Sequence, residues 1–314
     1  MWLLALLAVA DSSHAFPLVL PRAESVQVAV AGGEAGAPVV LIPGLFGAAF
    51  AYRKVIPRLT EAGYRAIVIE PLGVGNSGRP EHADYSLTAQ ADRIAGALDQ
   101  LGVTWAVIVA HATSASIAYR LAYRRPDLVR AVVSLEGGPV EAAATPGMRR
   151  AMQLAPWIKL FGGVRMIRKK IRANLIALSA DPSWVSDSVV DGYTAGAARD
   201  LDGTLRGYLA MAASRERERL EPRLSAITCP VLLVLGGVPH GGGPRPAELV
   251  ELADSLRAFT VDTVAGAGHF VHEERPDAVV AAVSRVGPAS AISAAGSGGS
   301  AKPSDTTSQP TSAR

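Results

Sequence analysis

Short runs of apolar and β-branched residues recur along the chain and alternate with stretches in which apolar residues repeat every three or four positions. The runs predict buried strands at 39–42, 66–69, 105–110, 131–135, 231–235 and 259–264. The periodic stretches predict helices at 52–62, 87–101, 114–124, 247–256 and 276–286. Because strands that alternate with helices form parallel sheets covered on both faces, the pattern predicts an α/β fold with a mostly parallel, doubly wound sheet.

The alternation stops at about residues 139–224, where the chain is helical and rich in loops. We expect this insertion to form a cap, or lid, over one end of the sheet. Within it, residues 149–172 contain eight Lys and Arg and no Asp or Glu, interleaved with large apolar residues. This composition favours a solvated helix face, and the alternative is a weak contact with an anionic membrane or an acidic substrate.

The two ends of the chain differ from the middle. The first ten residues are apolar, and Ser13 and Ala15 are small residues of the kind that a signal peptidase reads, so residues 1–15 predict a signal peptide and a secreted or periplasmic protein. A basic segment before the apolar run is missing, which leaves a membrane anchor or a mis-assigned start as alternatives. Residues 288–314 are mostly Ala, Ser, Gly, Thr and Pro and predict a disordered tail, so the domain itself spans 16–287.

Composition excludes some functions. The 314 residues are 49% hydrophobic, which is enough for one large core. The net charge is only +3 and the sequence has no nucleic-acid-binding motif, so no nucleic acid partner is expected. The single cysteine, Cys229, excludes an internal disulfide and is too isolated for a structural zinc site.

Three segments together resemble the α/β-hydrolase fold superfamily, and the resemblance extends from about residue 26 to 286. They are VVLIPGLFG at 39–47, EPLGVGNSGRP at 70–80 and VIVAHATSASIAYRLAYRRPDLVRAVV at 107–133. The glycines of the second segment are attributed to turn geometry, because no P-loop lysine follows them. The third segment is similar to the nucleophile elbow of this superfamily, in which G-x-S-x-G lifts a nucleophile above the sheet.

The elbow is degenerate in this chain. Residues 110–114 read AHATS, so Ala112 occupies the position where the superfamily has its Ser, and the Asp of its dehalogenase-like and epoxide-hydrolase-like members is absent as well. Alanine has no lone pair with which to attack a carbonyl carbon. Covalent acyl-enzyme chemistry at Ala112 is therefore excluded.

The other catalytic roles are assigned by the resemblance. His269, in GAGHF after the last predicted strand, matches the catalytic base. The loop that usually carries the acid reads LGGVPHGGG at 235–243 and has no carboxylate, so Glu136 in SLEGG is the candidate acid, with a plain cap of the strand end as its alternative role. The backbone N–H groups of Leu45 and Thr113 are the expected oxyanion hole.

These assignments leave two functions open. The preferred one is a hydrolase-family protein with atypical or lost catalysis, a pseudoenzyme that binds a small apolar or ester-like ligand under its lid. The alternative is an active ester-type hydrolase in which His269 and Glu136 activate water without a covalent nucleophile, Ser114 being a poor substitute because it should already lie in the helix. No cofactor is expected. The candidate ligand-binding residues are Phe46, Trp157, Trp184, Tyr193 and Tyr208.

A metal site is the least favoured hypothesis. His111, His240 and His269 all lie in predicted loops at the same end of the sheet, with Glu136 nearby, and three-ligand zinc sites use such sets. His111 stands where the superfamily commonly has a histidine without a metal, so no metal is expected.

Overall fold

A computed structural model describes residues 14–45, 47–144, 150 and 163–287. Eight strands form one sheet in the order β1-β2-β4-β3-β5-β6-β7-β8. β1 pairs with β2 and β2 with β4 in antiparallel orientation, and the remaining neighbours are parallel. The strands are β1 His14–Val19, β2 Ser25–Ala31, β3 Ala37–Ile42, β4 Tyr64–Ile69, β5 Ala106–His111, β6 Val129–Leu135, β7 Val231–Gly236 and β8 Phe259–Val264.

The described α-helices lie on both faces of this sheet and in the insertion between β6 and β7. They are α1 Val55–Glu61, α2 Leu87–Gln100, α3 Ala115–Arg124, α4 Gly163–Leu178, α5 Asp187–Arg199, α6 Leu201–Ala213, α7 Pro246–Ser255, α8 Val271–Glu274 and α9 Pro276–Val286. Short 3-10 helices at Pro21–Ala23, Ala49–Tyr52, Ala112–Ser114, Pro182–Trp184 and Glu221–Ala226 lie in the connections.

The predicted α/β class is confirmed, and all six predicted strands and five predicted helices are present. The two antiparallel N-terminal strands were not predicted. β1 is an edge strand whose side chains are mostly exposed, so its sequence lacks the apolar run that marks a buried strand. β1 begins at His14, within the predicted signal segment, and residues 1–13 lie outside the described part of the chain.

The core occupies both faces of the sheet. On one face, α2 and α3 bury Leu87, Ile94 and Ile117 against the strands. On the other face, a second cluster includes Leu59 of α1 and Val279 of α9. Because the parallel strands are covered on both sides, their carboxyl ends meet at one edge, and loops at that edge can carry a site.

The helical insertion closely contacts loops at that edge. A Cβ atom on Gly192 of α5 would overlap the Phe50 ring, and one on Gly196 would overlap the carbonyl oxygen of Gly75. These glycines let α5 approach the loops that follow β3 and β4. The described part of the predicted insertion contains α4, α5 and α6, while residues 145–149 and 151–162 lie outside the described residues.

Two further predictions concern a membrane anchor and the C-terminal tail. Within the described residues, the helices are all too short or too polar to cross a membrane. The predicted tail, 288–314, lies outside the described residues.

Candidate functional site

A cavity of about 120 Å³ lies between the carboxyl edge of the sheet and the helical insertion. Apolar side chains from the sheet loops and from α4 form much of its wall, and His111, His269 and His272 line it from the sheet side. Five residues predicted from the sequence are among those that line it: Leu45, Ala112, Thr113, Tyr193 and His269.

The elbow around Ala112 keeps a strained backbone. Strand β5 ends at His111, Ala112 has a φ of 52°, and α3 begins three residues later. A non-glycine residue in this left-handed region costs about 1–2 kcal/mol. Gly137 makes room for the turn, because a Cβ there would overlap the Ala112 carbonyl oxygen. Ala112, a residue without a nucleophilic atom, therefore lines the cavity from a strained turn between a strand and a helix.

Ser114 joins the elbow to the loop that follows β3. Its side chain is buried, and Oγ donates a hydrogen bond of 2.8 Å to the carbonyl oxygen of Pro43. This bond holds Thr113 and Leu45, the two predicted oxyanion-hole residues, on the wall of one cavity. Because the hydroxyl of Ser114 is used in this contact, Ser114 is not placed to act as a nucleophile.

The loop after β8 positions His269 and ties it to the insertion. The backbone N–H of His269 donates to the carbonyl oxygen of Leu178, at the end of α4, over 2.9 Å. The preceding N–H, of Gly268, donates to the Glu274 carboxylate over 2.8 Å. Burial, and secondarily the neighbouring His240, lower the pKa of His269 to about 4. The ring is therefore neutral at pH 7 and can accept a proton.

Glu136 lies behind His269. Its φ is 58°, and its side chain is buried at the end of β6. Oε1 accepts a hydrogen bond from the N–H of Gly236, while Oε2 lies 3.8 Å from Nδ1 of His269. Burial raises the pKa of the carboxyl, and the bond from Gly236 opposes that shift. The structure thus places the predicted acid beside the predicted base, but 3.8 Å is too long for a hydrogen bond, and Nδ1 of His269 is buried with no hydrogen-bond partner among the described residues.

Two further histidines pack against the base. Nε2 of His111 donates to the carbonyl oxygen of His269 over 3.1 Å, and the ring centroids of His111 and His272 are 4.5 Å apart. Burial lowers the pKa of both rings well below the ordinary histidine value, and charge on the neighbouring histidines adds to the shift. His272 was not predicted from the sequence, where its only signal is its position three residues after His269.

The structure separates the predicted ligand-binding residues. Tyr193 lines the cavity, and its hydroxyl donates to Glu273 over 2.8 Å. Trp184 lies behind the wall, with its ring 5.7 Å from that of Phe270. Tyr208 packs against the main core and is not among the residues that line the described cavity. The remaining two, Phe46 and Trp157, lie outside the described residues.

The metal hypothesis can be tested on the geometry. Glu136, His240 and His269 each offer one ligand atom, and these atoms lie within 4.8 Å of one another, whereas His111 is not part of this group. The N–H of Gly242 donates to Nδ1 of His240 over 3.1 Å, which places the ring proton of neutral His240 on Nε2. Nε2 is the nitrogen that faces Glu136, so this tautomer is the wrong one for binding a metal there.

Comparison with known proteins agrees with this architecture. The sequence matches the alpha/beta hydrolase family over residues 39–282. It is 25% identical over 257 residues to 2-(acetamidomethylene)succinate hydrolase of Mesorhizobium japonicum, covering 79% of this chain and 87% of that protein. It is 26% identical over 305 residues to epoxide hydrolase A of Mycobacterium tuberculosis, covering 81% of this chain and 91% of that protein.

A solved structure shows the same fold. An alpha/beta hydrolase fold protein from Burkholderia ambifaria superposes with a TM-score of 0.70 and 22% identity, covering 87% of this chain and 99% of that one. With the family match, this likeness defines the class: the chain belongs to the alpha/beta hydrolase family.

Proposed function

We propose that this protein binds a small, uncharged carbonyl compound, such as a short ester, in the cavity at the elbow, and that it forms no covalent intermediate with it. The observation that carries the proposal is the methyl group of Ala112 on a strained elbow that lines the cavity together with His269. The binding shape of the family is retained, and the atom that would attack is missing.

The charge of the wall supports an uncharged ligand. The described residues that line the cavity include no Lys, Arg, Asp or Glu. The three histidines in the wall are neutral at pH 7, because burial lowers the pKa of each ring. A carboxylate would lose its hydration on entry and find no cation among these described residues, which is costly. The dicarboxylate in the name of the Mesorhizobium relative is therefore a poor substrate class for this chain.

The size of the cavity supports a small ligand. Its volume of about 120 Å³ is well below the roughly 300–1,000 Å³ of pockets for drug-sized molecules. Leu45, Leu175 and Phe270 give it an apolar wall. The N–H groups of Leu45 and Thr113 are the candidates to bind a carbonyl oxygen, as in the hydrolases of this fold.

Isothermal titration calorimetry with methyl butyrate and with butyrate tests this proposal. We expect saturable binding of the ester at pH 7.5 and none of the carboxylate. Replacement of the cavity residue Ala143 by Leu, A143L, should abolish ester binding by filling the cavity, whereas A247L on the outer helix α7 should not. Equal binding of butyrate, or unchanged binding by folded A143L, would contradict the proposal.

A second candidate function is hydrolysis by activated water. The observation that favours it is the retained pair of His269 and Glu136, 3.8 Å apart, beside the vacant nucleophile position. A neutral imidazole can take a proton from a water molecule as that water attacks a bound carbonyl carbon, and the nearby carboxylate then stabilises the imidazolium.

Turnover of p-nitrophenyl acetate separates the two functions. Water activation predicts slow native turnover that falls at least about tenfold in both H269Q and E136Q, since a positioned general base contributes roughly 10²–10⁴-fold. Native turnover that is unchanged in folded H269Q would exclude this mechanism.

A further inference from the structure

The loop between β7 and α7 carries no carboxylate, yet it contacts the acid directly. His240 lies in this loop, with its side chain 9% exposed and its ring centroid 5.6 Å from that of His269. Nε2 of His240 lies 3.3 Å from Oε2 of Glu136. The loop in which the family usually places its acid thus supplies a partner for an acid that comes from β6.

The tautomer of His240 makes this contact a donated hydrogen bond. Nδ1 accepts from the N–H of Gly242, so the proton of the neutral ring is on Nε2. Nε2 is also the nitrogen of His240 that lies 3.3 Å from Oε2 of Glu136, and the carboxyl can accept its proton only as a carboxylate or through the carbonyl oxygen of its neutral form. Both ring nitrogens of His240 are therefore used, and the ring is held in one orientation.

Two glycines let the loop close over the pair. A Cβ on Gly242 would lie 2.6 Å from Nδ1 of His269, and one on Gly243 would lie 2.7 Å from Oε2 of Glu136. Any side chain at either position would push the loop away. Close packing against the two polar groups therefore explains Gly242 and Gly243, whereas a Cβ on Gly241 would meet no group within 4 Å.

The donated bond acts on the charge of Glu136. Burial favours the neutral carboxylic acid and raises its pKa, while the N–H of Gly236 and the ring of His240 favour the carboxylate. Nδ1 of His269 is buried with no hydrogen-bond partner among the described residues, and Oε2 of Glu136 lies 3.8 Å from it. A carboxylate at that distance attracts an N–H dipole, which favours the ring proton of His269 on Nδ1. A neutral carboxylic acid exerts no such attraction, and one that moved within hydrogen-bond distance would donate to Nδ1, which would place the ring proton on Nε2 and remove the lone pair that a base needs.

We propose that His240 is a positioning residue that keeps Glu136 ionised and thereby holds His269 in the tautomer of a general base. This inference rests on the proposed function only in taking the cavity as the working site. The test of this inference uses the protein without a ligand. The inference can therefore fail while the ligand-binding proposal succeeds, and the ligand-binding proposal can fail while the inference succeeds.

The experiment is two-bond ¹⁵N–¹H correlation of histidine-labelled protein at pH 7, which reports which ring nitrogen carries the proton. In the native protein we expect the proton on Nε2 of His240 and on Nδ1 of His269. In H240L, which removes the donor, the proton of His269 should move to Nε2. In H240Q, whose amide can donate to Glu136, it should stay on Nδ1.

The exposed histidine variant H82Q is the matched control and should leave the signals of His269 unchanged. Unchanged signals of His111 and His272, with a native unfolding midpoint, show that the variants keep their fold. The proposal is overturned if His240 carries its proton on Nδ1 in the native protein, a result that needs no variant. It is also overturned if folded H240L keeps the proton of His269 on Nδ1.

Discussion

Single side chains fix the backbone of this site. The hydroxyl of Ser114 is the clearest case, because its bond to the Pro43 carbonyl joins the two loops that carry the candidate oxyanion hole. The sequence pointed to this serine only as a poor nucleophile. The sequence does not show that the hydroxyl of Ser114 forms a hydrogen bond with a carbonyl oxygen 71 positions away.

Replacement of Ser114 by Ala should lower the free energy of unfolding by about 1–3 kcal/mol, since it leaves a buried carbonyl oxygen without its donor. Urea denaturation measures this change. The exposed Ser225→Ala is the control and should change stability by less than about 0.5 kcal/mol. A loss in S114A no larger than in the control would show that the bond does not hold the loops.

His269 and Glu136 show how far residue-level prediction extends. The GAGHF context indicated the base, and the lack of a carboxylate at 235–243 directed attention to Glu136. Their separation of 3.8 Å, and the place of His240 beside them, follow from loops that meet only in the folded chain. Contacts between residues about 100 or more positions apart leave no periodicity for a sequence pattern to reveal.

At the scale of elements, the predicted strands and helices are accurate where a buried face imposes a period on the sequence. β5 and β6 are rich in apolar residues and almost wholly buried, because both faces are covered. The sequence did not predict β1, because an exposed edge strand needs no apolar run. The segment that follows β6 approaches the elbow closely because Gly137 has no side chain. A single sequence does not show this role of Gly137.

Gly137→Ala tests that approach. A Cβ at this position would overlap both the Ala112 carbonyl oxygen and the side chain of Ala115. We expect a loss of about 1–3 kcal/mol in the free energy of unfolding. Gly33→Ala is the matched control, because a Cβ on Gly33 would meet no neighbouring group within 4 Å. Equal stability of the two variants would contradict the packing argument.

The surroundings of the basic helix α4 bear on the alternatives of a solvated face and a membrane contact. Arg168 and Arg172 form ion pairs with Asp191 and Asp187 of α5, which favours a solvated face over a membrane contact. We expect no salt-sensitive flotation of the protein with vesicles rich in phosphatidylserine compared with neutral vesicles. Binding to the anionic vesicles that is lost in a K169E/K170E variant would contradict this expectation.

At the scale of the whole molecule, the buried histidines link stability to pH. The folded pKa of His269 is about 4 and its ordinary value is 6.5, so between these values the unfolded chain binds one more proton than the folded chain. Stability should therefore fall as the pH is lowered from 6.5 towards 4, by about 1.4 kcal/mol per pH unit for this one group. His111 and His272 should act in the same direction.

Urea unfolding at pH 7.5, 6.0 and 5.0 measures this linkage. Glu136, whose pKa burial raises, acts in the opposite direction, so the contribution of His269 is read from the difference between native protein and H269Q. The native slope below pH 6.5 should exceed that of H269Q by about 1.4 kcal/mol per pH unit. Identical slopes would show that the ring of His269 is solvated.

The proposed function predicts a site that lacks only its nucleophile. Intact-protein mass spectrometry after incubation with p-nitrophenyl butyrate tests this prediction on the native protein and on Ala112→Ser. We predict no butyryl adduct on the native protein and a single butyryl adduct on A112S that requires His269. An adduct on the native protein that is lost in H269Q would contradict the prediction, because it would reveal another nucleophile in the cavity.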